Sequence, residues 1–349
     1  MTYRVVQWTT GNVGTKSVHA ITRNQELELV GCYAWSADKV GVDVGELCGI
    51  ASLGVTATHD LDALLALRPD CVVYNPMFAD VDELCRILAA GVNVVTTSEF
   101  ITGTGLGDGR DRITEACRSG NATIFGSGIN PGFIQLFAVV TAGISDRVDR
   151  IRIVESFDTT IYNSPETEIP MGFGYPIDHP ELVAVTEHGS RIFREAVELV
   201  AHALGAQLDD IRCEARYAQA TQDLALPGDW TIEAGCVAGI DVRWTGIAAG
   251  REIIEIRGVW TKGQSLEPVW STEFGYTVTV EGRPTIKSTL SFEPPADFVG
   301  ETLDDFIMLG LTITAMPAIT AIPAVVAAPP GIATYTDLPL LLPRGVLNV

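Results

Sequence analysis

Two stretches of the sequence combine side chains and backbone that suit chemistry on a small molecule. Glu99 follows the predicted strand Asn93–Thr97, and further along the chain the loop Gly126–Gly132 contains Asn130. In an open parallel sheet, ligands bind beyond the carboxyl ends of the strands. A carboxylate at that edge can hold an amine or move a proton beside a hydride donor. Glu99 is therefore the candidate catalytic residue, and a merely solvated glutamate at a loop start is the alternative.

The turn after the first predicted strand, Arg4–Trp8, has the features of a phosphate-binding loop. It reads Thr9, Thr10, Gly11, Asn12, Val13 and Gly14. Backbone N–H groups and a helix N-terminus at this point can cradle a pyrophosphate. Gly11 lets the backbone approach the phosphates, and Gly14 allows the helix to pack closely. The full Gly-x-Gly-x-x-Gly string is absent, so a plain structural turn is the alternative, but the position favours dinucleotide binding.

The residues after the second predicted strand, Leu27–Ala34, bear on the choice between NAD and NADP. An acid at the end of that strand binds the ribose hydroxyls of NAD, whereas small polar or basic residues accommodate the NADP phosphate. Here Ser36 and Lys39 follow the strand, and its tip carries no acid. We expect NADP, with NAD as the alternative if Asp38 takes the ribose role. Trp35 is either a stacking surface for adenine or ordinary packing.

Polar residues also follow the next predicted strands on the same edge of the sheet. Asn75 and Pro76 come directly after the strand Cys71–Tyr74, and Thr97 lies at the end of the following strand. Asn-Pro is also a common turn sequence, which is the structural alternative. We expect Asn75, Pro76 and Thr97 to line the cofactor site.

The order of predicted elements indicates two domains. Residues 1–135 alternate short strands with helices, which is typical of a Rossmann-type, doubly wound parallel sheet. Residues 136–305 hold successive strands with few helices, which predicts an α+β domain with a largely antiparallel open sheet. Residues 306–349 are expected to be helical between prolines and to pack back at the domain junction.

Three local predictions concern the second domain. A single long helix is expected over Leu182–Leu204, and a single strand over Trp230–Ile247. Glu281 and Gly282 are expected to form a turn between two antiparallel strands.

Composition narrows the range of partners and compartments. The net charge of −21 argues against nucleic acid and anionic membranes, since both need a positive protein face. The seven cysteines form no Cys-x-x-Cys pair, so we expect free thiols, no metal and a reducing compartment. The first residues lead straight into a strand without a signal peptide, and Pro317 and Pro323 interrupt the most apolar stretch. We expect a cytoplasmic protein with no membrane span.

Five stretches of the sequence match the motifs of a known family: Thr9–Gly14, Ser36–Gly41, Val94–Glu99, Gly128–Phe133 and Ala321–Gly331. They resemble the group related to 2,4-diaminopentanoate dehydrogenase, which includes native amine dehydrogenases and is often labelled dihydrodipicolinate reductase-like. The resemblance implies NAD(P)H-dependent reductive amination of a carbonyl compound by a homodimer joined through the second domain's sheet. It also implies that Glu99 holds ammonia or the amine, that Asn130 neighbours the nicotinamide and that Tyr162 lines the substrate side.

Aromatic residues near the expected cleft suit a small hydrophobic ketone or aldehyde. They are Phe133, Phe137, Tyr162, Phe173 and Tyr175. Two features depart from relatives of the group: the His-His-x-Lys-x-Asp stretch of tetrahydrodipicolinate reductases is absent, and Thr320 replaces an asparagine that contacts the cofactor in related tails. An NADP-dependent ketone or imine reductase of the same fold and a non-catalytic NADP-binding sensor are the alternative functions.

Overall fold

The computed structural model describes residues 2–162, 164–227, 229–296, 298–300 and 303–347. The chain folds as two compact units. The first comprises Met1–Phe133 together with Met308–Val349, and the second comprises Ile134–Ile307. The first unit is therefore built from both ends of the sequence, with the second unit inserted between them.

Short strands and helices alternate along the first part of the chain, and longer strands dominate the middle. Up to residue 133 the elements are β1 (Tyr3–Trp8), α1 (Asn12–Arg23), β2 (Leu27–Tyr33), α2 (Val44–Leu47), β3 (Ala57–Thr58), α3 (Leu61–Ala66), β4 (Cys71–Tyr74), α4 (Val81–Ala89), β5 (Asn93–Thr96), α5 (Asp108–Gly120) and β6 (Thr123–Gly126). Those that follow are α6 (Phe133–Ala142), β7 (Arg147–Asp158), α7 (Pro165–Glu168), α8 (Leu182–Gly189), α9 (Ile192–Ala203), β8 (Asp210–Ala220), β9 (Leu224–Leu226), β10 (Trp230–Ile232), β11 (Val237–Ala248), β12 (Arg251–Thr261), β13 (Leu266–Glu267), β14 (Gly275–Arg283) and β15 (Ile286–Leu290). The last are α10 (Leu303–Val326) and β16 (Gly331–Ala333).

The first unit contains a parallel sheet with the strand order β16-β6-β5-β4-β1-β2-β3. Successive side chains of each strand point to opposite faces of the sheet, and helices cover both faces, so the strands are buried on both sides. Val6 and Val94 pack against the helices on one face, and Val5 and Val95 pack on the other face with α1 and α10. This arrangement confirms the predicted Rossmann-type sheet.

Capping residues mark where α4 begins and where α4 and α5 end. The Asp80 carboxylate accepts hydrogen bonds from the first backbone N–H groups of α4, and Gly91 follows that helix with φ of 83°. Helix α5 ends at Gly120, and Asn121 after it adopts the left-handed conformation. A Cβ at Gly120 would collide with the carbonyl oxygen of Leu88.

Helix α10 continues through Pro317 and Pro323, so the expected interruption by these prolines is wrong. A proline removes one backbone hydrogen bond from a helix, but packing of an apolar face can hold the helix together. The segment Ile307–Val326 is long and apolar enough to cross a membrane by length and composition. In the structure its residues Ile319 and Ile322 belong to the core beneath the parallel sheet.

The second unit contains a mixed sheet with the order β13-β8-β11-β12-β7-β14-β15, in which β7 and β12 run parallel and the other pairs are antiparallel. A separate pair, β9 and β10, forms a small antiparallel ribbon. The structure confirms an α/β domain followed by an α+β domain with a largely antiparallel sheet.

Three local predictions in the second unit are wrong. The expected helix over Leu182–Leu204 is broken after Gly189 into α8 and α9, and a Cβ at Gly189 would collide with the carbonyl oxygen of Pro170. The expected strand over Trp230–Ile247 is split into β10 and β11 by a turn that contains Gly235 with φ of 85°. Glu281 and Gly282 do not form a turn but lie inside β14, at a bulge. The position requires glycine because a Cβ there would collide with the Arg147 carbonyl oxygen of the neighbouring strand.

Candidate functional site

The turn between β1 and α1 has the geometry of an anion-binding loop. Thr9 adopts a left-handed backbone with φ of 70°, and its N–H donates to the Tyr33 carbonyl oxygen at 3.0 Å. Gly11 caps α1, and as a glycine it offers no side-chain acceptor to the N–H groups of the first turn. A Cβ at Gly14 would collide with the Thr9 carbonyl oxygen, so only glycine allows this close approach. Exposed N–H groups at a helix N-terminus suit a pyrophosphate.

Lys39 extends from the segment after β2 to this loop. Its ammonium donates to the Thr10 carbonyl oxygen and to the Thr10 hydroxyl, both at 3.3 Å. The Lys39 N–H donates to the Ser36 carbonyl oxygen at 3.1 Å, which forms a turn that brings both residues together. Ser36 and Asp38 are exposed. The Lys39 ammonium therefore lies beside the turn between β1 and α1, and Ser36 belongs to the turn that contains Lys39.

A fully buried amide, Gln7, connects the loop with two further strand ends. Its Nε2 donates to the Thr9 carbonyl oxygen at 2.9 Å and to Asn75 Oδ1 at 2.7 Å. Asn75 Nδ2 in turn donates to Thr97 Oγ1 at 2.8 Å. Gln7 Oε1 is buried without a hydrogen-bond partner among the described residues. The relay aligns the carboxyl ends of β1, β4 and β5 and explains why Asn75 and Thr97 lie together.

Glu83 of α4 organises the aromatic residues at the same edge of the sheet. Its carboxylate accepts hydrogen bonds from Trp8 Nε1 at 3.2 Å, from the Tyr74 hydroxyl at 2.9 Å and from Trp35 Nε1 at 3.3 Å. The Trp8 ring is buried and stacks on Tyr33, with centroids 4.1 Å apart. Trp35 remains 56% exposed. Its indole is therefore held by one hydrogen bond while more than half of the residue is exposed.

Glu99 is half-buried, and its backbone is held on both sides. Its N–H donates to the Met77 carbonyl oxygen at 3.3 Å, and the neighbouring Ser98 hydroxyl donates to the Pro76 carbonyl oxygen at 2.6 Å. On the other side Phe100 is fully buried, and Gly126 lies so close to its carbonyl oxygen that a Cβ would collide. The loop that carries Glu99 is therefore fixed to the loop that follows β4.

The loop after β6 closes the row of strand ends. The Ser127 N–H donates to the Thr96 carbonyl oxygen at 2.9 Å, and Gly132 has φ of 131°. The N–H of Phe133 donates back to the Gly128 carbonyl oxygen at 2.8 Å, so the loop that contains Asn130 folds on itself before α6 begins. These bonds join the loop of Asn130 to the loop of Glu99 through neighbouring strands.

Four of the five aromatic residues assigned to the substrate lie in the second unit, and Phe133 belongs to the first. Phe173 is buried, Tyr162 is 38% exposed, and the Tyr175 ring contacts the His179 ring edge-to-face at 5.1 Å. Phe137 lies on α6 and is half-buried, whereas Phe133 at the start of the helix is exposed. The Lys262 ammonium contacts both the backbone carbonyl oxygen of Tyr162 and the ring of Phe173. No motif in the sequence singles out Lys262.

Lys262 and Glu168 form a buried ion pair in the second unit, with Lys262 Nζ 2.5 Å from Glu168 Oε1. Burial raises the pKa of Glu168 to about 7, against the opposing effect of the Lys262 ammonium. Burial likewise lowers the pKa of Lys262, although Glu168 opposes that shift. Sequence offers a weak signal for Lys262, a lone lysine after the apolar end of β12. The comparable signal for Gln7 is a single amide within the apolar run of β1.

Thr320 does not lie at the nucleotide edge of the sheet. It lines a cavity of about 440 Å³ together with Tyr3 and Leu27, which are the first residues of β1 and β2. The phosphate loop follows the opposite ends of these strands. Thr320 therefore lies beside the first residues of β1 and β2, and the turn Thr9–Gly14 follows the last residue of β1. Among the described residues, no group of three histidine, cysteine, aspartate or glutamate side chains is placed to hold a metal ion.

Comparisons with known proteins agree with this architecture. Residues 5–125 match the N-terminal domain of dihydrodipicolinate reductase, and residues 182–348 match the C-terminal domain of 2,4-diaminopentanoate dehydrogenase. An amine dehydrogenase of Streptomyces virginiae is 29% identical over 303 residues, which cover 82% of this chain and 84% of that protein. A 4-hydroxy-tetrahydrodipicolinate reductase of Synechococcus elongatus is 27% identical over 48% of this chain and 60% of its own length.

A solved structure extends the likeness to the whole fold. The amine dehydrogenase of Mycobacterium smegmatis superimposes with a TM-score of 0.81 over 99% of both chains, at 21% identity. The two matched domains together cover most of the sequence, with the reductase-type domain first and the dehydrogenase-type domain second. The chain therefore combines a dihydrodipicolinate reductase-type N-terminal domain with a 2,4-diaminopentanoate dehydrogenase-type C-terminal domain, and it is similar to amine dehydrogenases over most of its length.

Proposed function

We propose that this NAD(P)-dependent oxidoreductase of the amine dehydrogenase type catalyses reductive amination of a small hydrophobic ketone or aldehyde with ammonia, and the reverse oxidative deamination. The single observation that carries the proposal is the position of Glu99. Its half-buried carboxylate belongs to a loop fixed at the same sheet edge as the phosphate loop. A titratable group at that edge suits proton transfer beside a hydride donor.

The first unit supplies the groups that would hold the nicotinamide cofactor. The loop Thr9–Gly14 would bind the pyrophosphate, and the linked amides and hydroxyls of Asn75 and Thr97 would border the nicotinamide, together with Pro76 and Asn130. Lys39 and Ser36 favour NADP, because a 2′-phosphate needs a cation and hydrogen-bond donors. The exposed indole of Trp35 would receive the adenine ring.

Glu99 has three tasks in the proposed reaction. It accepts a hydrogen bond from ammonia and so orients the nitrogen lone pair toward the carbonyl carbon. As a C–N bond forms and water leaves, it takes up and returns the protons that the dehydration step needs. It would then stabilise the positive iminium, to which a bound reduced nicotinamide would supply the hydride. Fixed charge stabilisation of this kind contributes about 3–4 kcal/mol in other enzymes.

The substrate class follows from the character of the assigned side chains. Phe133, Phe137, Tyr162, Phe173 and Tyr175 offer aromatic surface, and aromatic surface binds apolar groups. We therefore propose a short aliphatic or aryl-alkyl carbonyl compound as the substrate.

The experiment that tests the function measures NADPH oxidation with a panel of short ketones and aldehydes, with and without ammonium. We expect turnover that requires ammonium and yields the primary amine. Glu99→Gln should lower kcat by at least about 100-fold, as loss of a general acid–base group does, while the Kd for NADPH changes by less than about 3-fold.

Glu115→Gln is the matched control, because Glu115 is an exposed carboxylate of α5 that pairs with Arg118 one turn along the same helix. It should leave amination unchanged. Ammonium-independent turnover would instead indicate a ketone or imine reductase, and tight NADPH binding without turnover on the whole panel would indicate a sensor. A fully active Glu99→Gln variant would overturn the role of Glu99.

We also propose that the protein is a cytoplasmic homodimer joined through the sheet of the second unit. One face of that sheet carries alternating charges, with Glu255 buried among Arg150, Arg152 and Arg243 at 2.6–3.6 Å. A pattern that alternates in sign can pair with a second copy across a two-fold axis. Light scattering on the purified protein tests this, and a monomeric mass at micromolar concentration would contradict it.

A further inference from the structure

Lys262 occupies an unusual position for a lysine. It follows the last residue of β12, its N–H donates to the Ala238 carbonyl oxygen at 2.7 Å, and the residue is only 1% exposed. Its ammonium lies 5.3 Å from the ring centroid of Trp230 and 5.6 Å from that of Phe173. Aromatic faces stabilise a cation at such distances. The ammonium is therefore enclosed by rings and does not extend to water.

All three hydrogens of the ammonium have protein acceptors. Besides Glu168 Oε1 at 2.5 Å, Lys262 donates to the carbonyl oxygen of Thr159 at 2.7 Å and to that of Tyr162 at 3.3 Å. The two carbonyls belong to a tight turn after β7, in which the Tyr162 N–H donates to the Thr159 carbonyl oxygen at 2.9 Å. A single side chain thus fixes both ends of this turn and the helix α7 that follows.

Glu168 extends the same connection to Phe173. Its carbonyl oxygen accepts the Phe173 N–H at 3.3 Å, while its side chain, in a residue that is 6% exposed, contacts Lys262. In the described residues of the segment 159–173, regular structure is limited to α7 and one short turn of helix. The conformation of this segment therefore depends on the ion pair more than the conformation of a strand or a long helix would.

Stability alone does not account for the pair. Taking two charges out of water is costly, and well-packed apolar replacements of buried ion pairs are frequently as stable. Glu168 Oε2 is also buried without a hydrogen-bond partner among the described residues. The pair has the directional contacts of a device that sets the conformation of a loop, which apolar side chains of similar volume cannot reproduce.

We propose that Lys262 and Glu168 are positioning residues that fix the segment 159–173 and thereby determine, through Tyr162 and Phe173, which carbonyl compounds the enzyme accepts. This inference rests on the proposed function, since it takes Tyr162 and Phe173 as substrate-side residues. The pair itself contacts backbone carbonyls and rings of the chain.

The test compares the full-length wild type with Lys262→Met and with the double variant Lys262→Met/Glu168→Leu, in which neither charge remains. Wild-type amination of a ketone series of increasing chain length establishes the reference profile. We expect Lys262→Met to raise KM for the preferred ketone by at least about 10-fold, while kcat falls by less than about 3-fold and the Kd for NADPH stays unchanged. Lys287→Met, at an exposed lysine of β15, is the matched control.

The double variant separates positioning from folding. We expect the double variant to have the melting temperature of the wild type. We also expect it to accept ketones over a broader range of chain lengths than the wild type does. A double variant with both the wild-type melting temperature and the wild-type profile would overturn the inference.

A second readout keeps this inference distinct from the function itself. If the wild type turns over no carbonyl compound, the proposed function fails, and chymotrypsin cleavage after Tyr162 then reports on the segment. Faster cleavage in the double variant supports positioning by the pair, and an unchanged cleavage rate contradicts it.

Discussion

At the scale of single residues, the sequence predicts part of the arrangement at the strand ends. The phosphate loop and the strand-end residues Asn75 and Thr97 follow from sequence, because first strand–helix turns and strand ends are local signals. Gln7 and Glu83 do not, because their roles arise from hydrogen bonds to distant residues, to Asn75 in one case and to Trp8 in the other. The roles of Glu99 and Asn130 stay predictions.

Lys39 gives a direct test of cofactor preference at this scale. Replacing it by alanine removes the cation beside the phosphate loop, and a charge-assisted hydrogen bond contributes about 1.5–3 kcal/mol. We expect Lys39→Ala to raise KM for NADPH by about 10- to 100-fold and KM for NADH by much less. Steady-state kinetics with both cofactors measure this ratio.

Asp38→Ala is the companion variant, because Asp38 is the residue that would bind the ribose hydroxyls of NAD. It should leave the NADPH constants unchanged. A selective loss of NADH use in Asp38→Ala, combined with equal losses for both cofactors in Lys39→Ala, would show that NAD is the preferred cofactor.

At the scale of elements, sequence patterns locate the first sheet well and the second unit less well. Strands of the parallel sheet are short apolar runs with glycine or aspartate at their boundaries, and these signals are local. The break after Gly189 and the bulge at Gly282 depend instead on close approach to Pro170 and Arg147. Such contacts between distant segments leave no periodic trace in the sequence, so helix and strand patterns extend across them.

The connection of α7 to β12 predicts a pH dependence of stability. The unfolded chain releases the Glu168 proton near its ordinary pKa of 4.5, whereas burial holds the folded-state pKa at about 7. Between these values the folded state binds more protons, so the contribution of the pair to the free energy of unfolding falls as pH rises from 4.5 to 7.

Denaturant titrations of the wild type and of Lys262→Met/Glu168→Gln at several pH values measure this contribution as a difference. The variant lacks both titrating groups and shares all other ionisable residues. We expect the free energy of unfolding of the wild type to fall relative to that of the variant as the pH rises from 4.5 to 7. A difference that is constant with pH would exclude the raised pKa.

At the scale of the whole molecule, the discontinuous first unit determines what can be removed. Helix α10 and β16 lie in the same core cluster as Val5, Val73 and Phe125 of the sheet. Ending the chain at residue 307 should therefore expose this apolar face and abolish NADPH binding, with aggregation or loss of cooperative unfolding. Fluorescence titration with NADPH and thermal unfolding measure both effects.

A fusion of residues 1–133 to residues 308–347 through a flexible linker is the control for this truncation. The Thr314 side chain of α10 lies near Gly128, where a Cβ would be 3.7 Å from it, so the two segments need only a short connection. The fusion should bind NADPH. Binding of NADPH by the 1–307 fragment with wild-type affinity would contradict the expectation.

The placement of α10 and β16 also governs how the protein is made. During synthesis the strands of the parallel sheet leave the ribosome before the second unit does. The apolar face that packs against α10 therefore stays exposed while the second unit is translated. Because α10 and β16 complete the core of this sheet, we expect the unit to become competent to bind a coenzyme only after both have been translated.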